Sequence, residues 1–277
     1  KITFFCLKKF RYKIHFNSKT KTVNFIKTFP FSTIKINGIF PLSNSKKNQE
    51  ICPMRKPVIA IDGYSSTGKS SISKIIAQKL GLVHMDTGAL YRGVTYFANT
   101  CCLNEDGKIN LQGLFKNLDQ IKLEFRNINN ELILFLNGKD ISREIRTNEV
   151  SSNVSLIASQ KEVRDFLMET QRSIAEKGGV ILDGRDIGTV VLPNADYKFF
   201  LTASVDERTR RRFQELTILG IKTDEKSVKE NLIYRDKTDS EREVAPLKKA
   251  DDAILIDNTN LDKRQTIDLI LSHIHDI

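Results

Sequence analysis

Four consecutive β-prone residues, Val58-Ile59-Ala60-Ile61, lead directly into Gly63-Tyr64-Ser65-Ser66-Thr67-Gly68-Lys69-Ser70, and no other stretch constrains the fold as much. The second run fits G-x-x-x-x-G-K-[ST], in which a tight glycine turn aims successive backbone N–H groups at a phosphate. Lys69 is placed to reach the terminal phosphates, and Ser70 to offer its hydroxyl to Mg²⁺. Helically spaced Ile72, Ile75, Ile76 and Leu80 follow, so the loop opens a helix whose N-terminal dipole favours the same anion. A chance Gly/Ser-rich turn would not need both the strand before and the amphipathic helix after. The chain is predicted to bind a nucleoside triphosphate with Mg²⁺.

The formal charge of +10 looks like a nucleic-acid signal until it is located. Residues 1–53 hold eleven Lys/Arg and one acid, Glu50, whereas residues 54–277 carry equal numbers of basic and acidic residues. The basic balance therefore says nothing about partners of the larger part. That part is long enough for one large or two small cores, and no stretch reaches the roughly 20 apolar residues of a membrane helix. Cys6, Cys52, Cys101 and Cys102 form no C-x-x-C pair, which argues against structural zinc or a disulfide framework and for a reducing compartment.

Residues 1–53 contain half of the sixteen Phe, and the chain begins with Lys. Three readings stay open: an organellar transit peptide, a basic arm for nucleic acid or membrane, and translation upstream of a true start at Met54. Scarce arginine and no clear cleavage site favour the last, with a transit peptide second. Under the favoured readings the segment is expected to be disordered and irrelevant to the chemistry.

Residues 54–277 read as alternating strands and helices. Strands are predicted at Leu82–Met85, Gly179–Asp183, Tyr197–Thr202 and Ala253–Asp257. Helices are predicted from Asp86 to about Thr100 and at Arg143–Val150, Gln160–Lys177, Ser204–Leu219, Asp224–Asp236 and Asp262–His273. Ile121–Phe125 and Glu131–Leu136 read as an antiparallel hairpin, out of place in a βα chain, so about 113–142 is taken as an inserted module. The fold class is α/β, with a central parallel sheet covered on both faces and ligands at the carboxyl ends of the strands.

A phosphate loop alone does not give function, and the guanine-reading N-K-x-D signature is absent. The chain instead scatters arginines near strand ends and loops: Arg92, Arg146, Arg164, Arg185, Arg208, Arg210 to Arg212, Arg235 and Arg242. On most helices these would be solvated. Arg185 differs, because Asp183-Gly184-Arg185-Asp186 follows directly on a buried strand. Planar arginines are what a site needs to hold a second phosphate and neutralise a loose phosphoryl-transfer transition state. Arg210-Arg211-Arg212 fits either a solvated face or a closing lid at about 204–222.

Several stretches together resemble the bacterial-type cytidylate kinases. They are Ile61-Asp62-Gly63 with the phosphate loop, Met85 to Arg92, Glu144-Ile145-Arg146-Thr147, Leu182 to Val191, and Arg235-Asp236-x-x-Asp239-x-x-Arg242 ahead of Val244-Ala245-Pro246-Leu247. The resemblance runs from about Lys56 to the C-terminus. It implies a three-layer P-loop kinase fold with an inserted monophosphate-binding module and a short Arg-rich lid. It also implies transfer of the γ-phosphate of ATP to CMP or dCMP, with Mg²⁺.

By the same resemblance, Gly63, Tyr64, Ser65, Ser66, Thr67, Gly68, Lys69, Ser70 and Ser71 cradle the donor phosphates. Arg92, Arg185 and Arg242 clamp the acceptor phosphate, with Lys69, Arg185 and Arg242 at the transferred group. Ser155, Arg164 and Asp186 match the positions that read the cytosine edge, Asp239 those that hold the ribose, and Thr87 falls among the substrate contacts. Arg208, Arg211 and Arg212 fall in the lid, Arg211 on the donor side and the other two at the reaction. Ser70 and Asp183 would order the metal. Tyr64 and Thr67 are bulkier than the small residues common in this loop, and Tyr64 is a candidate to alter packing of the adenine or ribose. A cytoplasmic monomer is expected, organellar if residues 1–53 are a genuine leader, with no nucleic-acid or membrane partner.

Overall fold

The computed structural model describes residues 4–7, 10–17, 22–29, 32–38, 56–128 and 131–275. The chain divides into two compact units, Lys1–Cys52 and Pro53–Ile277. In the first, β1 (Phe4–Leu7), β2 (Phe10–Asn17), β3 (Thr22–Phe29) and β4 (Ser32–Gly38) form an antiparallel meander in that order. A leader expected to be disordered thus has regular β-structure over much of its length. The period-two alternation of Phe10, Tyr12, Ile14 and Phe16 with Arg11, Lys13 and His15 is the strand signal that a reading by composition and charge passes over. The remainder of 1–53 lies outside the described residues.

The second unit is built on a five-stranded parallel sheet in the order β12–β11–β5–β10–β6. Its strands are β5 (Val58–Gly63), β6 (Val83–Asp86), β10 (Val180–Gly184), β11 (Tyr197–Thr202) and β12 (Ile254–Asp257). β5 lies at the centre, with Ile59 opposite both Ile181 and Tyr197. The pleat sorts the side chains. Val58, Ala60, Val180 and Leu182 join a core with Leu90, Val94, Ile157 and Leu167 from α2 (Thr87–Cys101), α4 (Asn148–Ala158) and α5 (Lys161–Ala175). Ile59, Ile61 and Ile181 join Ile72, Ile76, Ile267 and Ile270 from α1 (Lys69–Leu80) and α8 (Lys263–Ser272) on the opposite face. A strand buried on both sides reads as a continuous apolar run, which is why β5 shows no alternation.

The inserted module follows a helix that the sequence pattern does not announce, α3 (Leu111–Lys116). Its sheet is β7 (Leu123–Ile128), β8 (Glu131–Leu136) and β9 (Lys139–Asp140), antiparallel in that order. The module packs on α2 at Gly93, where a Cβ would stand 2.9 Å from Leu123 Cδ2 and 3.3 Å from Leu134 Cδ2. The helix expected over Arg143–Val150 is replaced by a single 3-10 turn, Glu144–Arg146, before α4. Thr147 separates the two by accepting from Val150 N at 3.3 Å, an N-cap that restarts the helix. α6 (Val205–Ile218) and α7 (Glu225–Glu241) form a helical hairpin with its own small apolar cluster of Leu216, Val228 and Leu232.

Candidate active site

The phosphate loop occupies the turn from β5 to α1. Gly63 has φ of 142°, and a Cβ there would lie 2.0 Å from the carbonyl oxygen of Leu201, so both the dihedral and the neighbouring strand require glycine. Gly68 is left-handed at φ 87° and ends the loop immediately before α1. Lys69 is buried, its ammonium donating to Tyr64 O and, at 3.3 Å, to Thr67 Oγ1. Burial, then repulsion by Arg185, pulls its pKa well below the usual lysine value. An anion at the loop would oppose both effects.

The residues expected to hold the acceptor converge on the loop after β10. Arg185 donates through Nε to Asp239 Oδ2 at 3.0 Å and through Nη2 to Ser65 Oγ at 2.7 Å, tying α7 to the phosphate loop. Asp186 takes Arg164 on Oδ2 and Arg242 on Oδ1, the latter at 3.2 Å, with all three side chains at most 5% exposed. Burial raises the Asp186 pKa against the pull of the two guanidinium groups. Burial also opposes ionisation of Asp239, yet Arg185, Arg235 and Arg242 together hold its pKa below the usual carboxylate value. Ser155 is buried on α4, and the Arg164 guanidinium lies 5.4 Å from the Tyr91 ring centroid.

Arg92 pairs with Asp86 at 2.5 Å, and Asp86 also caps α2 by accepting from Ala89 N at 3.2 Å. Arg235, to which the sequence assigns no role of its own, belongs to the same group. Burial, then the charge of Arg185, with Arg92 and Arg212 adding to it, lowers its pKa to about 10. Nε of Arg92 and Nε of Arg235 are buried without a hydrogen-bond partner. A group of guanidinium ions that repel one another and leave donors unmatched is a receptor for an anion. The i, i+4 spacing of Arg235 and Asp239 on one helix is the signal that could have found it.

Ser70 and Asp86 line a cleft of about 1040 Å³ between the body and the inserted module, together with Arg92 and Arg146. Asp183 ends β10 with its carboxylate 2.6 Å from His84 Nε2, and burial raises its pKa. Among the described residues no group of three or more His, Cys, Asp or Glu could enclose a metal ion. One hydroxyl and one or two carboxylates suit Mg²⁺, a hard cation that keeps its waters and takes its other ligands from phosphates. Thr87, expected to touch substrate, donates its hydroxyl to Asp183 O at 2.8 Å and so joins α2 to β10.

The arginines of α6 do not behave alike. Arg208 is buried at the root of the helix, donating to Ser65 O at 3.3 Å and Asp236 Oδ2 at 2.7 Å. Arg211 donates to Asn258 O at 2.8 Å and reaches Thr67 O at 3.5 Å. Asn258, unremarked in the sequence, donates to the same Thr67 carbonyl at 2.9 Å. Arg212 pairs with Glu215 on its own helix at 2.8 Å. Tyr64 meets Phe200 edge-on and lies under Arg208, 5.1 Å from the ring centroid.

The cytidylate kinase family model matches residues 59–276. A cytidylate kinase of Bacillus cereus (strain ATCC 10987 / NRS 248) is 46% identical over 214 residues, covering 77% of this chain and 94% of that protein. One of Bacillus thuringiensis (strain Al Hakam) is 46% identical over 213 residues, covering 77% and 93%. Among solved structures, a shikimate kinase from Bacteroides thetaiotaomicron aligns over 78% of this chain and 97% of its own at 13% identity, with a TM-score of 0.39. The family match begins in β5 and takes in every element that builds the cleft, and the chain belongs to the cytidylate kinase family.

Proposed function

We infer that this nucleoside monophosphate kinase transfers the γ-phosphate of ATP to CMP or dCMP, giving ADP and CDP or dCDP. The observation that carries the reading is the set of converging guanidinium groups beside the phosphate loop, with Nε of Arg92 and Arg235 buried and unpartnered. The backbone of Gly63–Ser71 and the Lys69 ammonium receive the donor phosphates. Arg92, Arg185 and Arg242 hold the acceptor phosphate, and the Arg185–Ser65 bond brings that clamp against the donor loop. The acceptor oxygen is already anionic, so positioning and charge neutralisation supply most of the acceleration.

Asp186, oriented by Arg164, presents a carboxylate suited to the cytosine N4 donor, and Ser155 and Arg164 suit the N3 and O2 acceptors. Asp239 holds the ribose hydroxyls. Ser70 and Asp183 would hold Mg²⁺, which when bound would supply charge neutralisation at the donor phosphates. Thr87 contributes by fixing the end of β10 beside the acceptor. Arg211 fits the donor side, while Arg208 and Arg212 approach the transferred group when the α6–α7 hairpin closes, which excludes water. The enzyme would act as a cytoplasmic monomer on small molecules, since residues 54–277 carry no net charge to attract a polyanion.

Turnover on CMP, dCMP, UMP and AMP at fixed MgATP tests the reading directly. Preferred phosphorylation of CMP and dCMP is expected. ATP hydrolysis without phosphorylation of any monophosphate would refute it.

A further inference from the structure

Asp62 stands one residue before Gly63 at the end of β5, and no step above uses it. It is 3% exposed, and each carboxylate oxygen accepts one backbone N–H: Ile187 N on Oδ1 at 2.8 Å and Gly188 N on Oδ2 at 2.7 Å. Those two amides immediately follow Arg185 and Asp186. They also open a wide π-type turn over Ile187–Val191, in which Leu192 N reaches Ile187 O at 2.7 Å. In the sheet Asp62 is paired with Gly184, so the side chain extends from β5 beneath the loop that leaves β10. The approach is close: a Cβ on Gly188 would lie 3.4 Å from Asp62 Oδ2 and 3.2 Å from Lys198 Cδ.

We propose that Asp62 is a positioning residue whose carboxylate pins the Arg185–Asp186 loop to the strand carrying the phosphate loop, fixing acceptor and donor sites relative to one another, and that protonation releases one of the two pins. The assignment of Arg185 and Asp186 to the acceptor rests on the function inferred above; the coupling itself does not. An ionised carboxylate accepts on both oxygens, whereas a carboxylic acid turns an O–H toward one of the amides and loses that bond. The surroundings bring this exchange into an accessible range. Burial raises the Asp62 pKa to about 7, with Asp186 adding to the rise and the two amides and Lys69 on α1 opposing it. From β11, Lys198 presents its aliphatic stem at Gly188, while its ammonium is held by Pro193 O at 2.5 Å and Asp252 at 2.7 Å.

The test uses the full chain. Amide proton shifts of Ile187 and Gly188, followed by ¹⁵N-edited NMR, should titrate together with one midpoint near 7 in the wild type. In Asp62→Asn that shared transition should be lost. That variant should raise KM for CMP about tenfold, as expected for one lost bond to a charged acceptor, with KM for ATP within about twofold. Asp196→Asn is the control, because Asp196 accepts Val58 N at 2.7 Å at the far end of the same strand. It should lower stability and leave both KM values unchanged. Amides that do not titrate together in the wild type, or an Asp62→Asn enzyme that raises both KM values equally or neither, would overturn the proposal. If Asp62→Asn fails to fold, the wild-type titration decides alone. A wild type that phosphorylates no monophosphate would refute the inferred function while leaving the titration to decide the coupling.

Discussion

Arg185 Nε lies 3.0 Å from Asp239 Oδ2, which fastens the loop after β10 to α7 across 54 residues of sequence. The same guanidinium reaches Ser65 at 2.7 Å, so one side chain joins the phosphate loop, the loop after β10 and α7, the three elements proposed to hold donor, acceptor and ribose. Arg185→Lys should therefore fail to restore what Arg185→Ala removes, since an ammonium cannot make both bonds in one plane. Steady-state kinetics should show kcat reduced by about 10³-fold or more in both, the scale of a lost phosphoryl-clamping arginine.

Lys69→Ala should abolish turnover without lowering thermal stability. A lysine buried beside Arg185 with its pKa pulled down is a strained group in the free protein, and alanine relieves that strain. Calorimetry of the free variant should give a Tm equal to or above the wild type, and a clear fall would contradict this account.

Asp186→Ala should be costly in two ways. It leaves Arg164 and Arg242 as unpaired buried cations, a loss of roughly 3–5 kcal/mol for a broken buried pair. It also removes the carboxylate proposed to face cytosine N4, so the ratio of kcat/KM for CMP over UMP should collapse. Urea denaturation and competition assays read the two effects separately.

Stability should fall as pH rises from about 4 to above 7 through the contribution of Asp62. Its folded pKa of about 7 lies above the ordinary 3.8, so the folded chain holds a proton that the unfolded chain has released across that window. The stability this supplies is complete at the acid end and is lost as the pH passes the folded value. A rise from 3.8 to about 7 corresponds to roughly 4 kcal/mol as an upper bound. Chemical denaturation of wild type and Asp62→Asn at several pH values should show a slope that the variant reduces.

Gly63→Ala should yield no folded kinase domain. A methyl group 2.0 Å from the Leu201 carbonyl has no flexible neighbour to displace, and φ of 142° is closed to alanine. Far-UV circular dichroism or solubility of the variant checks this, and a native-like Tm would refute it.

Much of the second unit is legible in the sequence because its signals are local. Tyr197–Thr202 is predicted and found with the same bounds, and β5 with its loop and α1 follow from one continuous motif. Elsewhere a cap or a distant partner overrides the local pattern. In place of the helix expected from Arg143, a 3-10 turn precedes α4, which starts at the N-cap Thr147, and the turn after Asp186 depends on hydrogen bonds to Asp62, 125 residues from Ile187 in the sequence. The alternation in residues 10–17 is present in the sequence but obscured by the weight of its charge.

Residue types and spacing by themselves determined the phosphate loop, the alternating βα order and the place of Asp183, Arg185 and Asp186 at the end of a strand, whereas Arg92, Arg164, Arg208 and Arg235 lie within helices. Those depend on backbone propensity and apolar period, which neighbouring residues set. Only the tertiary structure decided how the arginines divide: Arg185 into a bridge, Arg164 and Arg242 onto one carboxylate, Arg208 into the root of a helix, and Arg92 and Arg235 left with unmatched donors. Their roles differ because burial and partner geometry, rather than residue type, set whether a charge is neutralised within the protein or left to meet a ligand.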